Sequence, residues 1–243
     1  MNKYLPLIAL ASAACTPNLN YYTKTVDTAV APTGAEVALA AVPQKRIVRL
    51  ALDPARTVFI TGEIGENALL IAANISNLGA SSEPITIVLN SPGGSVMHGA
   101  NIISAIEAAR GPVNTVCNAM CASMAALIFE YGTHRFLVDR TILMFHPASG
   151  GVEGELDKMA SRTEAIQRFV AKLEAHVAKR AGLTFGQYKS LASRELWLDA
   201  EDAVATGFAD KLVAVTWPDG ATITPPPQPV IPGNTTTKRN WEF

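Results

Sequence analysis

Ile85-Thr-Ile-Val-Leu89-Asn90-Ser91-Pro92-Gly93-Gly94-Ser95-Val96-Met97 passes from a β-branched run, through a polar loop with paired glycines, into a segment whose apolar residues fall at helical spacing. A short apolar run bounded by turn residues reads as a buried strand, and Pro-Gly-Gly cannot continue it. The same change of period recurs along the chain. Residues 57–61, 113–117, 135–138 and 142–145 read as further strands. Helical patterns occupy 67–78, 97–110, 123–131 and a long stretch, 154–181, whose charges repeat at helical spacing. Strand–helix alternation of this kind builds an α/β fold around a mainly parallel sheet with crossover helices. In such folds ligands collect at the carboxyl ends of the strands.

Outside this core the chain changes character. Of 243 residues, 49% are hydrophobic and 17% charged, enough to bury one core with tails. Twenty Lys and Arg against 21 Asp and Glu leave a formal charge of -1, which offers no general attraction to nucleic acid. Three cysteines make neither a disulfide-dense scaffold nor paired metal-ligand spacings, so no metal and no cofactor are expected. Met1-Asn2-Lys3, then an apolar stretch ending in Ser12-Ala-Ala14-Cys15, has the layout of an export signal and is too short to span a bilayer. Lipidation at Cys15 and ordinary cleavage after Ala13 or Ala14 both remain open. The expectation is an exported chain, periplasmic or membrane-anchored, touching a membrane only through an N-terminal lipid. Residues 15–45 read as a linker, and 217–243, with Pro225-Pro226-Pro227-Gln-Pro229, as a disordered tail.

Two loops leave strands with unusual sequences. In Asn90-Ser-Pro-Gly-Gly-Ser95 the paired glycines free backbone amides to face an anion, yet the Lys of a phosphate loop and the third Gly of a dinucleotide loop are missing. An oxyanion hole and a plain turn both fit. In Asn118-Ala-Met-Cys-Ala-Ser123-Met-Ala-Ala126 small residues crowd one serine at a strand-to-helix junction, which suits a nucleophile and also an N-cap. His146, in Met144-Phe-His-Pro147 after an apolar strand, suits general-base work near neutral pH. Surface or capping roles suffice for His98, His134 and His176. A base needs an orienting carboxylate, and Glu195 in Arg194-Glu-Leu-Trp-Leu198 is the candidate, with a surface pair to Arg194 as its plainer role.

Taken together, the segment resembles the Clp proteolytic subunit (ClpP) family, within the ClpP/crotonase fold. Asn90-Ser-Pro-Gly-Gly94 is similar to the family's glycine loop, Cys121-Ala-Ser-Met-Ala-Ala126 to its nucleophile segment, and Met144-Phe-His-Pro-Ala-Ser-Gly-Gly151 to its histidine segment. The likeness continues through Arg194-Glu-Leu-Trp-Leu-Asp-Ala-Glu-Asp-Ala203 to Gly207-Phe-Ala-Asp210. The resemblance implies a serine-peptidase domain over 46–216, built of repeated ββα units around a mainly parallel sheet with a long protruding helix. It implies Ser123 as nucleophile, His146 as base, Glu195 as third member, and the amides of Gly94 and Met124 as oxyanion hole. It also implies peptide or unfolded-protein substrates, a homo-oligomeric ring joined through the long helix, and an AAA+ unfoldase partner.

Three positions depart from the family pattern. Glu195 stands where Asp is usual. Cys121 stands where a small Ala is usual, and with Cys117 it reads as two buried thiols or a redox pair. The segment before Arg56 lacks the family's N-terminal helix and axial loop, so the expectation is an ATP-independent peptidase. Against a serine–lysine mechanism stand His146 in its motif and the lack of a lysine in the glycine loop and nucleophile segment. A crotonase-type acyl-CoA enzyme would share the oxyanion hole but has no need for Ser123 as a nucleophile. The alternative from another class is a lipid-anchored scaffold or binding module that keeps the fold without turnover.

Overall fold

The computed structural model describes residues 47–150 and 155–219. The expected signal, Cys15 and the expected linker lie outside the described residues, as does the expected tail beyond Asp219; Trp217, its first residue, instead packs on the core beside Phe59. The elements run β1 (Val48–Ala51), β2 (Thr57–Thr61), α1 (Ala68–Leu78), β3 (Ile85–Ser91), α2 (Val96–Glu107), β4 (Val113–Ala122), α3 (Met124–Glu130), β5 (His134–Val138), β6 (Ile142–Phe145), α4 (Leu156–Arg180), α5 (Phe185–Ala192), β7 (Leu196–Asp199), α6 (Ala200–Ala205) and β8 (Lys211–Thr216). The main sheet has the order β1-β8-β5-β4-β3-β2, all parallel. β6 pairs parallel with the end of β4 and antiparallel with β7. The α/β reading holds, and the long helix runs 25 residues.

Period-two alternation sorts the strand side chains between two faces. Ile87, Leu89 and Cys117 enter the larger core with Ile75 of α1, Ile102 of α2, Phe129 of α3 and Val177 of α4. Val88 and Val116 turn to the opposite face, where they meet Leu52 and Val213, with Phe59 and Trp217 packed against them. Ile75, Ile87, Ile102, Val116 and Phe129 are fully buried, and each side chain of this kind stabilises by about 1.5–3 kcal/mol.

Several boundaries differ from expectation. α2 ends at Glu107, three residues early, with Ala108 as its C-cap. β1, β7, β8, α5 and α6 were not anticipated, being short or built on mixed polarity. The largest difference is in β4, which continues five residues past Cys117. Cys117 pairs with Leu89 of β3 and Cys121 with Ser91, so β4 spends four residues where β3 spends two. Ala119 carries the bend at φ 92°, a conformation rare outside glycine. Before the bulge β4 pairs with β5, and after it with β6. The two cysteines are not separate thiols. They form a disulfide across the bulge and are fully buried.

At the other end of α3, charge is buried on purpose. Arg135 of β5 donates to Glu130 Oε2 at 2.6 Å, to Asp210 Oδ1 at 2.6 Å and to the Gly207 carbonyl at 3.0 Å. Burial pushes the Glu130 carboxyl up to about 8 against the opposing pull of Arg135. Burial also acts to raise Asp210, but hydrogen bonds from Arg135 outweigh it and hold that carboxyl below its usual range.

Two outcomes are expected from this cluster. Arg135→Met strands two carboxyls in or near the core and costs about 3–5 kcal/mol, measured as a loss of urea-unfolding free energy. Folded Glu130 keeps, between its ordinary value of 4.5 and about 8, a proton that the unfolded chain has released. Its contribution is therefore full below that window and lost as pH rises through it. Asp210 acts oppositely, losing its contribution as pH falls through the acid range. Urea melts at pH 5 and pH 8 should show a smaller drop for Glu130→Gln than for the parent chain.

Candidate active site

Ser123 stands between the end of β4 and the start of α3 at φ 54° and ψ -123°. A β-carbon residue held there is strained, and the turn lifts its hydroxyl off the strand. That hydroxyl makes no capping hydrogen bond to α3, so the N-cap role is not what it serves. The Ser123 N–H donates to the Met144 carbonyl at 2.8 Å, tying the turn to β6. Two residues on, β6 delivers His146, whose Nε2 lies 2.8 Å from Ser123 Oγ. Both side chains are half-buried.

The glycine loop closes over this pair. Gly93 sits at φ 101° and Gly94 at φ 143°. A Cβ on Gly93 would lie 2.6 Å from Ser123 Cβ, 2.7 Å from the Ala122 carbonyl and 3.0 Å from Met124 N, so only glycine lets the loop approach the serine this closely. Ser91 Oγ accepts from Gly93 N at 3.1 Å and fixes the turn. Ile64 N–H donates to the Gly93 carbonyl and Ser95 N–H to the Ile64 carbonyl, both at 2.8 Å. These two bonds flank Gly94 and leave its own N–H unused. Met124 is the first residue of α3, and its N–H has no intrahelical acceptor. Two amides without an acceptor among the described residues thus sit near the serine.

Glu195 is placed differently. β6 and β7 pair as far as Phe145 with Leu196, so His146 and Glu195 each lie one residue beyond the ladder, at the same end of it. Yet Glu195, at φ 64°, is exposed and its Oε2 accepts from Trp197 Nε1 at 3.1 Å. Among the described residues no carboxylate pairs with His146. The strand pairing brings Glu195 to the same end of the ladder as His146, and its carboxylate accepts from Trp197 instead.

Beside the serine and histidine lies a cavity of about 50 Å³. Val96, Met124, Leu127 and Val170 give it apolar walls, and Glu174 and Tyr188 bring polar groups to it. Sequence reasoning missed these last two. The signal was present in α4, where Glu174 falls among Val170, Leu173 and Val177 on a face that is otherwise apolar. No group of His, Cys, Asp or Glu that would hold a metal ion occurs among the described residues.

Against known proteins, the family model described as Clp protease matches residues 40–216. The ATP-dependent Clp protease proteolytic subunits of Streptococcus pyogenes serotype M5 (strain Manfredo) and serotype M49 (strain NZ131) are each 32% identical over 165 residues, 65% of this chain and 84% of theirs. The subunit of serotype M1 matches to the same extent.

The close approach of the glycine loop is testable on its own. Gly93→Ala should lower the rate at which a fluorophosphonate labels Ser123 by about 10²-fold, the scale expected when a reacting group is displaced by about 1 Å. Gly186→Ala, where an added Cβ meets nothing within 4 Å, should label like the parent, with intact mass as the readout.

Proposed function

Because the chain belongs to the Clp protease family and is a serine peptidase, we propose that it hydrolyses peptides and unfolded chains through Ser123 and His146, without ATP. The observation that carries this reading is the 2.8 Å approach of His146 Nε2 to Ser123 Oγ at a strained strand-to-helix turn. His146 takes the hydroxyl proton as Oγ bonds to the scissile carbonyl carbon. The carbonyl oxygen becomes an oxyanion held by the Gly94 and Met124 amides. As the C–N bond breaks, His146 passes the proton to the leaving amine. Water, deprotonated by the same imidazole, then releases the acyl group and restores the serine.

Glu195 is the third member in this reading. Its place one residue beyond the β6–β7 ladder, at the same end as His146, supports a reach to the imidazole once the carboxylate leaves Trp197, and substrate entry or assembly would supply that change. Assembly into a ring through α4, which leaves Ile166 exposed, is part of the same proposal. So is export, which rests on residues 1–15. Independence from an unfoldase follows from export, since ATP is not supplied outside the cell. The second reading, a non-catalytic scaffold, is favoured by one observation, the missing carboxylate on His146.

Intact-mass measurement of the assembled protein after fluorophosphonate treatment separates the two. One adduct on the parent chain and none on Ser123→Ala or His146→Ala supports the peptidase. No adduct on a folded parent chain would leave the scaffold. For peptide hydrolysis, Ser123→Ala should lower kcat by about 10⁶-fold and Glu195→Gln by about 10²–10⁴-fold. An unchanged rate in Glu195→Gln removes Glu195 from the mechanism.

A further inference from the structure

Glu174 is 3% exposed, an unusual place for a carboxylate unless it is paired. Its partner is Lys189 of α5, whose Nζ donates to Oε1 at 3.0 Å and to Oε2 at 2.9 Å. One residue before Lys189, Tyr188 is 1% exposed. Burial and the neighbouring Glu174 charge both keep that phenol protonated. Glu174 and Tyr188 share the cavity that Ser123 and His146 also line. A phenol and a carboxylate with lone pairs to spare therefore meet in a pocket walled by Val96, Leu127 and Val170, with Ser149 also in its lining.

Resting on the peptidase reading, we propose that Glu174, held by Lys189 and set beside the Tyr188 hydroxyl, selects the side chain of the substrate residue whose carbonyl Ser123 attacks. The pocket takes a short, uncharged side chain with a hydrogen-bonding tip: serine, threonine or asparagine. Size sets the first limit. The space in which the centre of a water fits is about 50 Å³, a small volume that suits a short side chain rather than an aromatic ring. Charge sets the second. Lys189 neutralises Glu174, so a basic side chain finds a cation already in place and an acidic one meets a carboxylate. Hydrogen bonding sets the third. Leucine would cover the Glu174 oxygens and the Tyr188 hydroxyl without replacing the water they lose, whereas a hydroxyl or amide replaces it.

The test uses the full-length assembled protein and peptide aminocoumarin substrates that differ only in the residue before the cleaved bond. The parent is first treated with a simple fluorophosphonate. Failure to label Ser123 overturns the peptidase reading, and this inference with it. A labelled parent should show kcat/KM at least about tenfold higher for threonine and asparagine than for leucine or aspartate. Glu174→Leu should reverse the threonine-to-leucine ratio by at least about tenfold. Glu174→Gln, nearly isosteric, leaves the Lys189 ammonium unpaired and should raise aspartate relative to threonine by at least about tenfold; it decides the matter where Glu174→Leu does not fold. A labelled parent that prefers leucine, or ratios unmoved in Glu174→Gln, overturns the pocket assignment and leaves the peptidase intact. A structural role for Glu174 would lower all substrates together and leave the ratios alone.

Discussion

Between Leu89 and Ser91 the third strand advances two residues while its neighbour advances four, from Cys117 to Cys121, and every feature of the site is set by where that surplus goes. A strand without it would stay beside β5 and deliver its next helix at the sheet's edge. With it, the chain leaves β5, takes up β6 as its partner, and reaches Ser123 with its N–H on the Met144 carbonyl. That one hydrogen bond fixes the spacing from Ser123 to His146, because β6 has only Phe145 left before the histidine. The strain at Ser123 is tolerated because the residues around it are immobilised: Ala122, Met124 and Ala125 are buried, and Gly93 presses from above.

The disulfide belongs to the same geometry. In an extended strand, residues four apart lie about 13 Å from each other, beyond the reach of any S–S bond. Here the Cα atoms of Cys117 and Cys121 are 6.0 Å apart, because the bulge folds the strand back on itself. The bond closes a short loop in the unfolded chain, an effect of about 2 kcal/mol in the chain-entropy picture. It does so two residues before the serine, so the covalent link and the strained turn share one segment of backbone. At the far end of α3, Glu130 is clamped by Arg135, so the helix that begins at Ser123 is held at both ends.

How far all this could be read from the sequence depends on whether a property was local. The β-branched runs at 57–61 and 85–89 declare themselves because short β-branched and apolar strings bounded by turn residues suit a buried strand. Ser123, His146 and the two glycines were legible because small residues, positive φ and strand ends leave a mark in the sequence immediately around them. The disulfide was not, since it depends on a bulge whose only trace is Ala119, an unremarkable residue in an unusual conformation. Glu195 was legible as a candidate and not as to direction: the β6–β7 ladder ends one residue short of both it and His146, and its carboxylate accepts from the indole two residues on. Glu174 was legible as a carboxylate on an apolar helix face, but its place beside the serine, like that of Tyr188, was hidden for a third reason. They come from two helices whose relation to the serine is set by packing alone.

The hydrogen bond between Trp197 and Glu195 has an optical consequence. An indole whose N–H is held by a carboxylate, on a side chain 43% open to solvent, emits differently from one that has lost that partner to water. Trp197 lies in the strand paired with the one that carries the histidine, so its fluorescence reports, without any added dye, which way the acid beside the histidine is turned.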